Sequence, residues 1–189
     1  LLDPGVPPEA RRPVALLHEA DVALNWKELI DGQVVPERLN VKGLDVNLPV
    51  DAEKPERVFS TAGLNAELDL GRPGMVDIVK ADAVVQGIRV TAQGAFSIGQ
   101  GDSGDCTLTA EDMAAAREQL NQVLKYLHRV KWPEASPPSL AVNLSDDPKG
   151  GVRVGMDLQA PSLRYGKIRV RDFLFSGDYA DSVIMAKRF

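Results

Sequence analysis

Three glycines, Gly99, Gly101 and Gly104, have the spacing of a loop that binds a dinucleotide pyrophosphate at the start of a helix. That chemistry requires the helix to open within the motif and an acidic residue to follow a second strand about 20 residues further on. In this chain the helical pattern starts later and occupies that stretch. The segment therefore predicts a flexible connection between a strand and a helix, and we expect no cofactor.

Nucleophilic or metal chemistry needs groups that this sequence does not bring together. Cys106 with His18 or His128 would supply a nucleophile and a base, but nothing indicates a third group that orients the base. Neither histidine has a metal-ligand neighbour at a suitable spacing. The acidic residues near the glycine loop lack the alternating pattern of a calcium loop. They are Asp102, Asp105, Glu111 and Asp112. We expect no catalytic residue and no metal site, so single replacement of Cys106, His18 or His128 by Ala should leave function intact.

Composition and charge limit the classes of fold and of binding partner that remain. The chain has 189 residues, 44% of them hydrophobic and 26% charged, which is typical of one folded domain over residues 1–189. A net charge of −5 with no long run of Lys or Arg disfavours nucleic acid as a partner. A single Cys excludes an intramolecular disulfide. The chain opens on Leu1 without a signal-like region, and it has no apolar stretch of about 18 residues. We interpret it as a fragment whose membrane anchor lies outside it.

The elements that would position any site are mostly strands, because apolar and polar residues alternate with period two along most of the chain. The alternating runs lie within residues 14–26, 39–50, 64–70, 75–85, 88–98, 140–144, 152–158, 163–175 and 179–185. The turn signals lie at residues 71–74, 146–151 and 176–178. The pattern predicts an antiparallel, meandering sheet.

The alternation changes parity once within a run. Apolar residues occupy odd positions up to Val41 and even positions from Leu44 onward. One slipped residue would send a row of side chains to the wrong face, so we predict a β-bulge at Lys42-Gly43. A bulge there would also curve the sheet.

The period changes from two to about 3.6 over residues 110–132, which predicts one long amphipathic helix with Thr109 as its N-cap. Its apolar stripe consists of Met113, Ala116, Leu120, Val123, Leu124, Leu127 and Val130. Residues 133–139 form a Pro-rich linker. Because the stripe must be buried, we expect the helix to pack on a face or an end of the sheet as a lid. The expected fold is mainly β, a curved antiparallel sheet in the form of a taco-like groove or an incomplete barrel, with one long helix.

The apolar rows of this sheet are either a closed core or the lining of an open groove, and the alternation alone leaves both open. The candidate groove-lining residues are Leu44, Val46, Leu48, Leu64, Leu68, Ile88, Val90 and Phe96.

Two segments, together about a third of the chain, resemble the AsmA and TamB superfamily of bacterial envelope proteins. Residues 20–51 resemble its repeated unit of a strand, a short turn with Leu and Gly, and an alternating strand that ends in Pro. The residues in this pattern are Leu29, Gly32, Leu39, Leu44, Val46, Leu48 and Pro49. Residues 162–186 resemble the other recurring strand pair. Its hydrophobic and turn positions are Tyr165, Ile168, Val170, Phe173 and Gly177.

The resemblance implies a β-groove with an apolar interior that spans the periplasm, is tethered to the inner membrane and conducts phospholipids towards the outer membrane. We therefore expect a non-enzymatic module that binds lipid acyl chains. The alternative is a structural or protein-interaction domain of an envelope assembly, with a closed core, an exposed strand edge and other envelope proteins as partners.

Overall fold

The computed structural model describes residues 14–49, 58–97, 118, 121–148, 151–180 and 183–188. The chain forms one curved, unclosed sheet of ten strands, so the mainly β fold predicted above is confirmed. The strands are β1 (Ala15–Leu24), β2 (Pro36–Pro49), β3 (Val58–Asp69), β4 (Met75–Val85), β5 (Ile88–Ser97), β6 (Val130–Lys131), β7 (Ser139–Asp146), β8 (Val152–Tyr165), β9 (Ile168–Ala180) and β10 (Val183–Arg188). The helices are α1 (Trp26–Ile30) and α2, which is described at residues 121–127.

Strands β1 to β5 form an antiparallel meander, in which each strand pairs with the next. The turn between β1 and β2 contains α1, whose first turn is capped by Asn25. The Asn25 side chain accepts hydrogen bonds from the backbone N–H groups of Lys27 (3.0 Å) and Glu28 (3.3 Å). Gly32 ends this turn with a positive φ of 79°. The predicted turn at residues 71–74 is present, and Met75 N–H donates there to Arg72 O.

The predicted bulge at Lys42-Gly43 is confirmed in the ladder between β2 and β3. The register of the two strands shifts between Val41 and Leu44, and Gly43 has a φ of 64°. A second shift follows at once, with Gly63 of β3 at a φ of 61°. The first shift adds a residue to β2 and the second adds one to β3, so the original register returns. The ladder between β1 and β2 keeps one register past Gly43, with His18 packed against that glycine.

Side chains replace the ladder hydrogen bonds that are lost at these bulges. Gly43 N–H donates to Asn65 Oδ1 at 3.0 Å, and Gly63 N–H donates to Asp45 Oδ1 at 2.7 Å. Without these acceptors, the two exposed backbone N–H groups would have to hydrogen-bond to water. The two bulges are therefore local, satisfied features that bend the sheet.

Strands β7 to β10 form a second antiparallel meander, and β5 joins it by pairing with β7 in parallel. The sheet therefore differs from a purely antiparallel meander at this one described pair. Parallel neighbours need a long crossover connection, which usually contains a helix. Residues 98–138 provide the crossover, and α2 lies within it. The glycine-rich loop, Cys106, Thr109 and residues 110–117 of the predicted helix lie outside the described residues.

The turn predicted at residues 176–178 is wrong, because these residues lie inside β9. The β8–β9 hairpin turns instead at Gly166-Lys167, where Gly166 has a φ of 59°. Gly177 lies at a close contact between strands and not in a turn. A Cβ atom on it would lie 2.9 Å from Met185 O and from the Phe175 ring, so glycine permits a close approach of the neighbouring strand.

Helix α2 ends at residue 127, earlier than the predicted position 131 or 132. Val130 and Lys131 pair with β8 instead, so their backbone groups enter a ladder rather than a further helical turn. The described part of α2 bears out the predicted stripe except at one position. Leu124 is 1% exposed and Leu127 is half-buried, whereas Val123 is 53% exposed. A cavity of about 180 Å³ lies between Leu124, Leu127 and Trp132, with Gln86 of the β4–β5 turn on its wall.

Candidate functional site

One apolar row crosses the sheet from β1 to β10. Residues that are Cα partners on neighbouring strands point to the same face, so chains of partners define rows across a sheet. The middle row consists of Ala20, Val41, Ala66, Ala81, Ala92, Val142, Met156, Gly177 and Ala186. Alanine and glycine dominate this row, and none of its members carries a charge.

Larger apolar residues flank the middle row on both sides. On one side the row consists of Val22, Leu39, Leu68, Ile78, Leu144, Val154 and Tyr179, with Gly94 as a gap between Ile78 and Leu144. On the other side it consists of Leu17, Leu44 and Leu64, followed on later strands by Ala83, Val90, Leu140, Leu158 and Phe175. A row of mostly small side chains between two rows of mostly larger ones indicates a shallow apolar groove that runs across the strands. We call these three rows the apolar groove.

The apolar groove is long and accessible. Eight strand spacings of about 4.8 Å give a length of about 38 Å along the sheet. The hydrocarbon core of a bilayer is about 30 Å thick, so one leaflet contributes about 15 Å of acyl chain. Among the described residues, the buried apolar side chains are Leu124, Pro138, Ala160 and Ala180, and none of them belongs to the three rows. The groove residues of the central strands are half-buried.

The eight candidate residues lie on this face. Leu44 and Leu64 are Cα partners of each other, and Val90 partners Ala83 and Leu140. The others extend the face towards the strand ends. Their pairs are Val46 with Thr61, Leu48 with Phe59, Leu68 with Leu39 and Ile78, Ile88 with Val85, and Phe96 with Val76. All eight are half-buried.

Sequence reasoning missed the groove residues of β7, β8 and β9. Their alternation was visible in runs such as Leu140, Val142 and Leu144. What the alternation did not indicate was that these strands continue the face of β5, because that depends on the parallel pair between β5 and β7. It also gave no sign that the small residues align into one row.

The opposite face of the sheet is polar and carries several ion pairs. Lys42 Nζ lies 2.6 Å from Glu19 Oε1, and Arg72 lies 3.0 Å from Asp77 Oδ2. The hydrogen bond from Lys42 holds the pKa of Glu19 below its ordinary value and raises the pKa of Lys42 itself.

A depression of about 470 Å³ lies beside the bulges and is lined mainly by residues of the polar face. Its lining consists of Asn40, Val41, Lys42, Asn65, Ala66, Glu67, Lys80 and Asp82. Two cations and two anions balance there, so the depression carries no charge that would select an ionic ligand.

Within the described ranges, no group of three or more His, Cys, Asp or Glu side chains is placed to hold a metal ion. His18 lies 4.0 Å from Asp45, and His128 is exposed after the end of α2. None of the helices that the structure describes is long and apolar enough to span a bilayer.

Comparison with known proteins gives no further assignment. No protein-family model matches the sequence, no curated protein matches it, and no solved structure matches the chain.

Proposed function

We propose that this protein is a non-enzymatic lipid-binding or lipid-conduit module of the bacterial cell envelope, of the AsmA and TamB type. The apolar groove would shield acyl chains from water, with the chains lying across the strands. In the full-length protein the module would be periplasmic and tethered to the inner membrane.

The observation that carries the proposal is the middle row of small residues between two rows of large ones on a half-buried face. A closed core would bury the larger residues, whereas an acyl chain needs an accessible apolar channel. Each CH₂ group removed from water contributes about 0.8 kcal/mol, so a chain laid along even part of the groove would bind without a specific polar contact. The resemblance of residues 20–51 and 162–186 supports the same assignment.

A structural or protein-interaction role is the second candidate, and the edge strand β1 favours it. Its residues from Leu16 to Leu24 are all exposed. Its described pairing is with β2, which leaves its other edge to accept a strand of a partner.

Native mass spectrometry of the chain, purified from bacterial cells without detergent, tests the proposal. We expect a population whose extra mass equals one or more phospholipids, released by organic extraction. A chain that carries no lipid, and that takes up none from added phospholipid, would contradict the lipid-binding proposal and favour the interaction domain.

A further inference from the structure

The β8–β9 hairpin concentrates positive charge in a chain whose net charge is −5. Residues 163–171 contain four cations and no acidic residue, and β6 places a fifth cation beside them. We call this group the cationic hairpin tip. It consists of Lys131, Arg164, Lys167, Arg169 and Arg171. All five side chains are exposed.

Like charges face each other directly within the cationic hairpin tip. Arg164 is the Cα partner of Arg169 on β9 and of Lys131 on β6. Like charges in directly opposite positions destabilise a sheet. The Arg164 side chain donates to Gly166 O at 3.2 Å, a bond within the hairpin that supplies no negative charge. The ion pairs found in the described part of the chain involve none of the five cations. An external anion bound at the tip would reduce this repulsion between like charges.

Space for an anionic group lies within the tip. A depression of about 480 Å³ is lined by Arg164, Gly166, Lys167 and Arg169. Three of these four residues are cations, in contrast to the balanced depression on the polar face. Guanidinium groups in particular bind phosphate oxygens through paired N–H donors.

Exposed apolar side chains alternate with these cations. Tyr165 and Ile168 are Cα partners at the end of the hairpin and are 48% and 63% exposed. In a hairpin the adjacent residues point to the other face, so the tip has one basic and one apolar side. Tyrosine and aliphatic residues beside Lys and Arg are typical of segments that lie at the boundary between lipid headgroups and acyl chains.

We propose that the cationic hairpin tip docks the protein on the surface of an anionic phospholipid bilayer. The five cations bind headgroup phosphates, while Ile168 and Tyr165 enter the headgroup boundary. A nucleic acid would supply phosphates but no hydrocarbon to cover Ile168. This inference is independent of lipid binding in the apolar groove, because it rests on a different set of residues.

Cosedimentation of the purified chain with vesicles tests the docking. We expect binding to vesicles of phosphatidylcholine and phosphatidylglycerol, weak binding to phosphatidylcholine alone, and loss of binding as salt is raised. A cation near an anionic bilayer strengthens binding about fivefold, so the triple variant K167Q/R169Q/R171Q should bind about 100-fold more weakly. Ile168→Ser should weaken binding while leaving its salt dependence unchanged.

The matched control is K27Q/R38Q/R89Q, which removes the same charge from exposed positions in α1, β2 and β5. It should retain nearly all vesicle binding. The triple hairpin variant should melt at or above the temperature of the native chain, because it relieves like-charge repulsion. Equal losses in both triple variants, or native-level binding by the hairpin variant, would overturn the proposal. Tight binding of single-stranded DNA that depends on these cations, without binding to anionic vesicles, would overturn it as well.

Discussion

Filling the middle row of the apolar groove should weaken lipid binding in proportion to the hydrocarbon that is displaced. Ala81 and Ala92 are Cα partners at the centre of that row, and both are half-buried. The variant A81L/A92L adds three carbons at each position. About six CH₂ groups of a bound chain would then lose contact, and a CH₂ group covered on one side contributes about half of 0.8 kcal/mol. The expected loss is about 2.4 kcal/mol, or about 50-fold in Kd.

A fluorescent fatty acid titrated into the delipidated chain measures this Kd directly. The control is A95L/A141L, which makes the same substitutions on the polar face, where Ala95 partners Asp77 and Ala141 partners Thr91 and Asp157. The control should bind the fatty acid like the native chain. Thermal unfolding of both variants checks that the sheet is intact. If A81L/A92L binds as tightly as A95L/A141L, acyl chains do not lie in the middle row and the reasoning fails.

Two further predictions concern stability. Gly43→Ala should lower the free energy of unfolding by about 2 kcal/mol, because φ is positive there and the new Cβ would lie 2.9 Å from the His18 ring. Gly32 has a similar φ, but a Cβ there would meet free space, so Gly32→Ala should lower the free energy of unfolding by only about 1 kcal/mol. Urea denaturation measures both variants. Equal losses would show that the contact of the new Cβ with His18 is unimportant. Leu124→Ala should cost about 2 to 5 kcal/mol because the side chain is fully buried, and Val123→Ala less than about 0.5 kcal/mol. The opposite order in the same experiment would mean that α2 docks through its other side.

Local patterns predicted the local features of this fold well. Alternation located most strands, and the parity change between Val41 and Leu44 identified the bulge at Gly43. Parity is informative there because both rows are apolar and must reach one face.

Other features depend on contacts between distant parts of the chain, and the sequence did not indicate them. Ser176-Gly177-Asp178 has the composition of a turn, but Gly177 is glycine because another strand approaches it closely. The early end of α2 follows from the pairing of Val130 and Lys131 with β8. The middle row likewise exists only once the strand order is known, so the groove residues of the later strands were missed.

The single parallel pair has a consequence for how this chain folds. It divides the sheet into two meanders, β1 to β5 and β7 to β10, in which each strand pairs with its neighbour in sequence. Contacts within a meander close short loops, whereas the pairing of β5 with β7 must close the crossover of residues 98–138. Long loops form late and slow folding. The two meanders would therefore fold first. The pairing of β5 with β7, which joins the two parts of the apolar groove, would be the rate-limiting step.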